Sequence, residues 1–345
     1  MATSRQLREQ IAAGRWDAAL AALYGGSEEV LSRQRSRYGA ALEQFELYYG
    51  PGRQVQVYSA PGRTELGGNH TDHQHGCVLA GGVNLDVIAV VAPNNDGKVC
   101  IKSEGYDMDV IDIAELEKNE AEHGRAAALI RGVLSRFKEL GCTLSGFNAY
   151  TTSNVLKGSG LSSSAAFEVL VGNIVNGMFF ENKADEITIA KIGQYAEREY
   201  FGKPCGLLDQ MASSLGGFTY ADFFDPSEPI TEKINLDIHS FGYTLCVVDT
   251  GGNHANLTQD YADITIECKK ISNALGVDFL RDADSDRFYK SIPELRRSCG
   301  DRAVLRAFHF FNEQNRVEEQ KAALKAGDFE SFLRLVNESG NSSYD

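Results

Sequence analysis

Residues 158–166 read Gly158-Ser159-Gly160-Leu161-Ser162-Ser163-Ser164-Ala165-Ala166, and they stand between a strand-like run, Leu144 to Thr152, and an apolar helical run through Val169 and Leu170. No other segment constrains the fold as strongly. Two glycines permit close backbone approach to a ligand, while hydroxyls and amides gather where a helix N-terminus favours an anion. A phosphate cradle fits that arrangement. Neither Gly-x-x-x-x-Gly-Lys-Ser/Thr nor the third glycine of a dinucleotide fingerprint is present, so the loop is of neither common type. The bland alternative is a serine-rich N-cap after a flexible loop.

Two further segments concentrate reactive groups. Ala60 to Gly76 contains Arg63, Glu65, Asp72 and the three histidines His70, His73 and His75 in a glycine-punctuated turn. Such a set suits gripping a polyhydroxylated or anionic small molecule, with a cap at Asp72 or a histidine metal site as competing readings. Gly202 to Gln210 is a tight turn that delivers Asp209 among Leu207, Leu208 and Met211, as a poised base, a charge stabiliser or a helix-initiating Asp.

The net charge of -14, from 34 Lys plus Arg against 48 Asp plus Glu, excludes an overall positive field for nucleic acid or an anionic membrane. A small-molecule partner is expected. The longest strongly apolar run, Val87 to Ala92, is far short of the roughly 20 residues that span a bilayer, and the polar start Met1 to Arg8 lacks a secretory signal. A cytoplasmic location is expected. Seven scattered cysteines without a Cys-x-x-Cys pair predict reduced thiols packed as small apolar groups.

Helical spacing of Leu7, Ile11, Trp16, Leu20 and Leu23, and of Leu31, Tyr38, Leu42 and Phe45, predicts amphipathic helices over 4–24 and 28–49, stopped at Gly50-Pro51-Gly52. Strands are predicted over Gln54 to Ala60, Gly216 to Phe224 and Tyr243 to Asp249, and helices over 122–140, 185–201 and about 256–275, with mainly helix to the end. Val87 to Ala92 and Val99 to Lys102 flank Asn95-Asp96-Gly97, which predicts an antiparallel hairpin. Intermixed helices and strands place the chain in the α+β class with mixed sheets. The Asp225 to Pro229 cluster marks a boundary, giving a helical extension over 1–50, one domain over 51–225 and another over 226–345.

Taken in order, Pro61-Gly62-Arg63-x-x-Leu66-x-Gly68-x-His70-Thr71-Asp72, the 158–166 loop and Pro204-Cys205-Gly206-Leu207-Leu208-Asp209-Gln210 resemble the signature, ATP loop and catalytic-aspartate turn of galactokinases, within the GHMP kinases. The resemblance covers about residues 54–275. It implies a two-lobed GHMP kinase fold, with an N-terminal mixed-sheet lobe and a ferredoxin-like C-terminal lobe. It also implies ATP-dependent phosphorylation of the anomeric hydroxyl of galactose, with Mg2+ as the metal.

Carried over residue by residue, the resemblance makes Asp209 the catalytic carboxylate and Arg63 the stabiliser of the acceptor hydroxyl and the transferring phosphoryl group. Asn69, His70, Asp72, Gly206 and Tyr261 become sugar contacts; Gly158, Ser159, Gly160, Leu161, Ser162, Ser163 and Ser164 become the ATP loop; Ser164 and Glu197 become metal ligands. Asn69 stands where the family has a glutamate that contacts the sugar's C6 hydroxyl, which makes galacturonate an alternative substrate. Glu65 replaces the family's usual asparagine, and Gly251-Gly252-Asn253 a less glycine-rich stretch. The family's third glycine-rich motif has no counterpart in 301–345, so the C-terminal lobe is expected to be incomplete, and an inactive sugar- and ATP-binding homologue is the non-enzymatic alternative.

Overall fold

The computed structural model describes residues 2–156, 158–248 and 258–344, without the side chains of 258–261. Its elements are β1 (Ala2–Thr3), α1 (Ser4–Ala12), α2 (Asp17–Tyr24), α3 (Glu28–Tyr49), β2 (Gln54–Gly67), β3 (Cys77–Pro93), β4 (Lys98–Ser103), β5 (Met108–Asp112), α4 (Ala126–Glu139), β6 (Phe147–Ser153), α5 (Ser163–Phe179), α6 (Glu186–Tyr195), α7 (Leu208–Leu215), β7 (Phe218–Asp222), β8 (Ile230–Ile234), α8 (Thr258–Ala274), α9 (Ser285–Cys299), α10 (Asp301–Ala326) and α11 (Phe329–Tyr344). Helices and strands alternate irregularly, in agreement with the α+β class. The residues form two compact units, each discontinuous in sequence: 1–62, 83–156 and 162–203 make one, and 63–82, 157–161 and 204–345 the other.

In the first unit β6 pairs antiparallel with the second half of β3, parallel with β4, and β4 pairs antiparallel with β5. Ile88, Val90 and Ala92 share a buried cluster with Leu7, Ile11, Leu20, Leu42 and Phe45, so α1 to α3 cover one sheet face. The alternate residues Ala89 and Val91 are fully buried too, which explains why this strand reads as one continuous apolar run. Helix α3 is bounded as its sequence predicts, because the Ser27 hydroxyl accepts from the Val30 amide and Gly50 follows its last turn. Asp86 ties these helices to the sheet by accepting from Tyr24, Ser59 and Arg37.

The expected hairpin between β3 and β4 does not form, because β6 lies between them. The link over 94–97 reverses the chain but steps over one strand position, so β4 runs antiparallel to β3 without pairing with it. Asn94 fastens that link to the start of β6, its amide donating to the Gly146 carbonyl and its side chain to the Lys98 carbonyl and Asn148 Oδ1. An Asp-Gly pair supplies a tight turn but does not choose the neighbour of the strand it starts.

In the second unit the first half of β3 pairs antiparallel with β7, and β7 with β8. Helices α8 to α10 enclose Ile271, Leu280, Phe288, Ala307 and Phe310. The expected strand over 243–249 is absent: residues 243–248 are exposed coil, so their apolar side chains find no sheet to join, and Asp249 lies outside the described residues. All seven cysteines are free thiols. Among the described residues no helix is long and apolar enough to cross a membrane.

Candidate active site

Arg63 lies on β2, and its guanidinium reaches Asp209 twice, with Nε 2.8 Å and Nη2 2.6 Å from the same Oδ1. Nη1 donates to the Gly160 carbonyl at 2.5 Å, and the Arg63 amide donates to the Leu161 carbonyl at 3.1 Å. One arginine therefore joins the catalytic-aspartate turn to the glycine loop. Asp209 occupies the first turn of α7, where the helix N-terminus favours a negative charge. Burial works against the charge on Arg63, but the carboxylates of Asp209, Glu65 and Asp72 outweigh it and hold its pKa above the usual arginine range.

Asp72 follows on a short 3-10 turn, Asp72–Gln74, directly after β2. Its Oδ2 accepts from the Leu208 amide at 3.3 Å and its Oδ1 from the His73 amide at 2.9 Å. Burial would raise its pKa, yet hydrogen bonding and charge from His73, with the Leu208 amide, hold it below the ordinary carboxylate range. The fit against the 204–209 turn is close: a Cβ at Gly206 would stand 1.7 Å from Asp72 Oδ2. Only glycine passes there. His70 is pushed down to about 4, chiefly by burial, and is neutral at pH 7. The Asn69 side chain donates to Ser343 Oγ at 2.9 Å, and its carbonyl faces His309 Nε2 at 2.9 Å.

In the glycine loop Gly158 and Gly160 both have φ of 78°, the left-handed region that a side chain strains. Ser162, the N-cap of α5, makes no side-chain cap bond, so the hydroxyl-capping alternative does not hold. Ser162, Ser163 and Ser164 open α5 in the first unit. There Ser164 Oγ donates to Glu197 Oε1 at 3.0 Å, and Lys203 Nζ lies 3.0 Å from the same oxygen. Glu197 sits on a π-helical turn, Ala196–Phe201, a local distortion frequent at functional sites. It is 1% exposed, so this carboxylate is held by a hydroxyl and an ammonium away from water.

Among the described residues no group of three His, Cys, Asp or Glu could hold a metal, and the histidine-site alternative for 70–75 is gone. Gly251-Gly252-Asn253 and the Tyr261 side chain lie outside the described residues.

A further acid stands beside Arg63. Glu65 follows Arg63 by two on β2, so both project from one face of the strand. Its Oε1 is buried with no hydrogen-bond partner, and burial, reinforced by Asp72, Asp209 and Glu313, pushes its carboxyl up to about 8 against the pull of Arg63. The strand period was the signal that could have placed it. Glu313, which accepts from the Gly68 amide at 3.0 Å, comes from α10 and had no such signal.

Residues 128–217 match the GHMP kinases N terminal domain, and residues 43–93 match the galactokinase galactose-binding signature. A galactokinase of Streptomyces coelicolor is 32% identical over 292 residues, covering 84% of this chain and 74% of that protein. The chain belongs to the galactokinase family. A second galactokinase, of Lactobacillus helveticus, is 32% identical over 83% of this chain and 74% of its own length. Among solved structures, the galactokinase of Lactococcus lactis complexed with galactose superposes with a TM-score of 0.72 over 88% of this chain and 78% of its own, at 24% identity. That likeness confirms the GHMP kinase fold.

Proposed function

We propose that this member of the family is a galactokinase that transfers the terminal phosphoryl group of ATP to the anomeric hydroxyl of galactose. The observation that carries this reading is the single Arg63 guanidinium bonded both to Asp209 and to the Gly160 carbonyl of the glycine loop. Phosphoryl transfer asks a protein mainly for alignment and for charge neutralisation on phosphate oxygens. Arg63 supplies both, because its planar fork keeps the acceptor's carboxylate partner and the loop in one register. Family membership, with two relatives named galactokinase, supports the choice of sugar.

In this reading the galactose anomeric oxygen attacks the terminal phosphorus, the bond from that phosphorus to the bridging oxygen breaks, and ADP departs. Asp209 accepts the hydroxyl proton or stabilises the hydroxyl electrostatically, and Arg63 counters charge on the phosphoryl oxygens. Asp72, with Gly206 packed beneath it and neutral His70 nearby, accepts hydrogen bonds from ring hydroxyls. Asn69 remains a sugar contact in the proposal, but its amide is engaged by Ser343, so nothing favours a carboxylate at C6. Residues 158–164 hold the nucleotide phosphates through amides and hydroxyls.

The donors Ser164 and Glu197 fit Mg2+, since both present hard oxygens and the ion takes its remaining ligands from water and phosphate. When bound, that ion neutralises phosphate charge. Glu197 would exchange Lys203 for it. The test is ADP formation with ATP and galactose, galacturonate or no sugar. Galactose-dependent release supports the proposal, and sugar-independent release or preference for galacturonate contradicts it.

A further inference from the structure

Glu65 is the acid that the reaction just described leaves unused. It shares a strand face with Arg63, its Oε1 is sealed from water without a partner, and four charged groups act on it. Arg63 faces it from β2, Asp72 from the following turn, Asp209 from α7, and Glu313 from α10, where Arg316 and Ser339 already engage Glu313. Three of those four groups are carboxylates. A fourth negative charge here would compete with Asp209 for one guanidinium and would repel an incoming phosphoryl group. An uncharged acid of the same shape does neither.

We propose that Glu65 is a positioning residue, whose uncharged carboxylic acid keeps the Arg63 guanidinium committed to Asp209 and to the glycine loop. The proposal rests on the kinase reading and adds to it a residue outside the family pattern, since asparagine, also uncharged, is usual at this position. It follows that activity falls on the alkaline side. Burial pushes this carboxyl up to about 8. Below that pH the pair is undisturbed; above it the ionised acid draws on Arg63, and kcat/KM, which reports free enzyme, drops about tenfold for each further pH unit.

The test compares wild type with Glu65→Gln, which fixes the uncharged state, and Glu65→Ala, which removes the group. The first readout is the pH profile of kcat/KM for galactose from pH 6 to 10. We expect the decline above about 8 in wild type, its loss in Glu65→Gln, and no more than about a threefold drop in that variant at pH 7, because the exchange keeps the shape and the neutral state of the side chain. A decline that persists unchanged in Glu65→Gln overturns the proposal, as does Glu65→Ala matching Glu65→Gln at every pH.

The second readout is the melting temperature of wild type and Glu65→Gln between pH 4 and 9, which needs no activity. A carboxyl whose folded pKa exceeds its unfolded value of about 4.5 destabilises the fold progressively as pH rises from there to about 8. Wild type should therefore fall below Glu65→Gln across that window and run parallel above it. Wild type inactive on galactose at every pH sinks the kinase reading; Glu65 is then decided by melting alone, with divergence supporting its uncharged state and parallel curves overturning it.

Discussion

Asp209 pairs with Arg63 and Glu197 with Lys203, but under opposite conditions. Asp209 is 25% exposed and its partner Arg63 14%, so both members of the pair are half-sheltered and held together by a rigid fork. Glu197 is 1% exposed while Lys203 is 49% exposed, so the carboxylate is fixed and its cation can swing into solvent on a flexible stem. The contrast separates two jobs. A pair that is locked on both sides keeps geometry, whereas a buried anion with a dispensable partner is suited to changing partners, as a metal ligand must.

The comparison breaks most visibly at Asp209. Asp209→Ala should lower kcat by about 1000-fold or more while nucleotide binding, followed by fluorescence, stays nearly intact. Equal turnover would remove Asp209 from the chemistry. Arg63→Lys should cost about 100-fold, because one ammonium cannot hold the aspartate by two contacts and the Gly160 carbonyl as well. A variant with near wild-type kcat would show that the locked pair is ornamental.

Gly206→Ala tests the same side sterically. Its new methyl would displace Asp72, and kcat/KM for galactose should fall roughly 10- to 100-fold, mainly through KM. On the other side, Glu197→Gln should raise the Mg2+ concentration for half-maximal rate by about tenfold, and Lys203→Ala should change it less than about fivefold. The reverse order would mean that Lys203, and not an ion, is the working partner of Glu197. The smallest effect is expected from Asn69→Ala, about threefold in the KM for galactose with little change in kcat, measured by the same assay.

The two regions also differ in how far the sequence announces them. Arg63 and Asp209 are 146 positions apart, and in the sequence only the resemblance of their motifs to one family joins them. Ser164 and Glu197 were matched in the same way. Lys203 lies in a tight turn that the sequence signals, yet its contact with Glu197 and the π-helical turn that carries Glu197 leave no local pattern.

Period and stop signals located α3, where spacing and caps agree, but the helix expected over 4–24 is two, α1 and α2, broken over 13–16. Strand neighbours were less legible. The order β3, β6, β4 is decided by a strand that arrives some 50 residues later, and no property of Asn95-Asp96-Gly97 encodes it. Glu65 is the instructive middle case: the sequence reading ends the strand at Ala60 and leaves Arg63 and Glu65 in a turn, whereas β2 runs on to Gly67 and sets them two apart on one face, and the burial of Glu65 and its four charged neighbours required the assembled site.

The most direct measurement is phosphorus NMR of the products formed from ATP and galactose by wild type and by Asp209→Ala. The account predicts ADP and a galactose phosphate esterified at the anomeric oxygen for wild type, and neither above background for the variant. Inorganic phosphate without a sugar ester, an ester at another carbon, or equal product from the variant would contradict it.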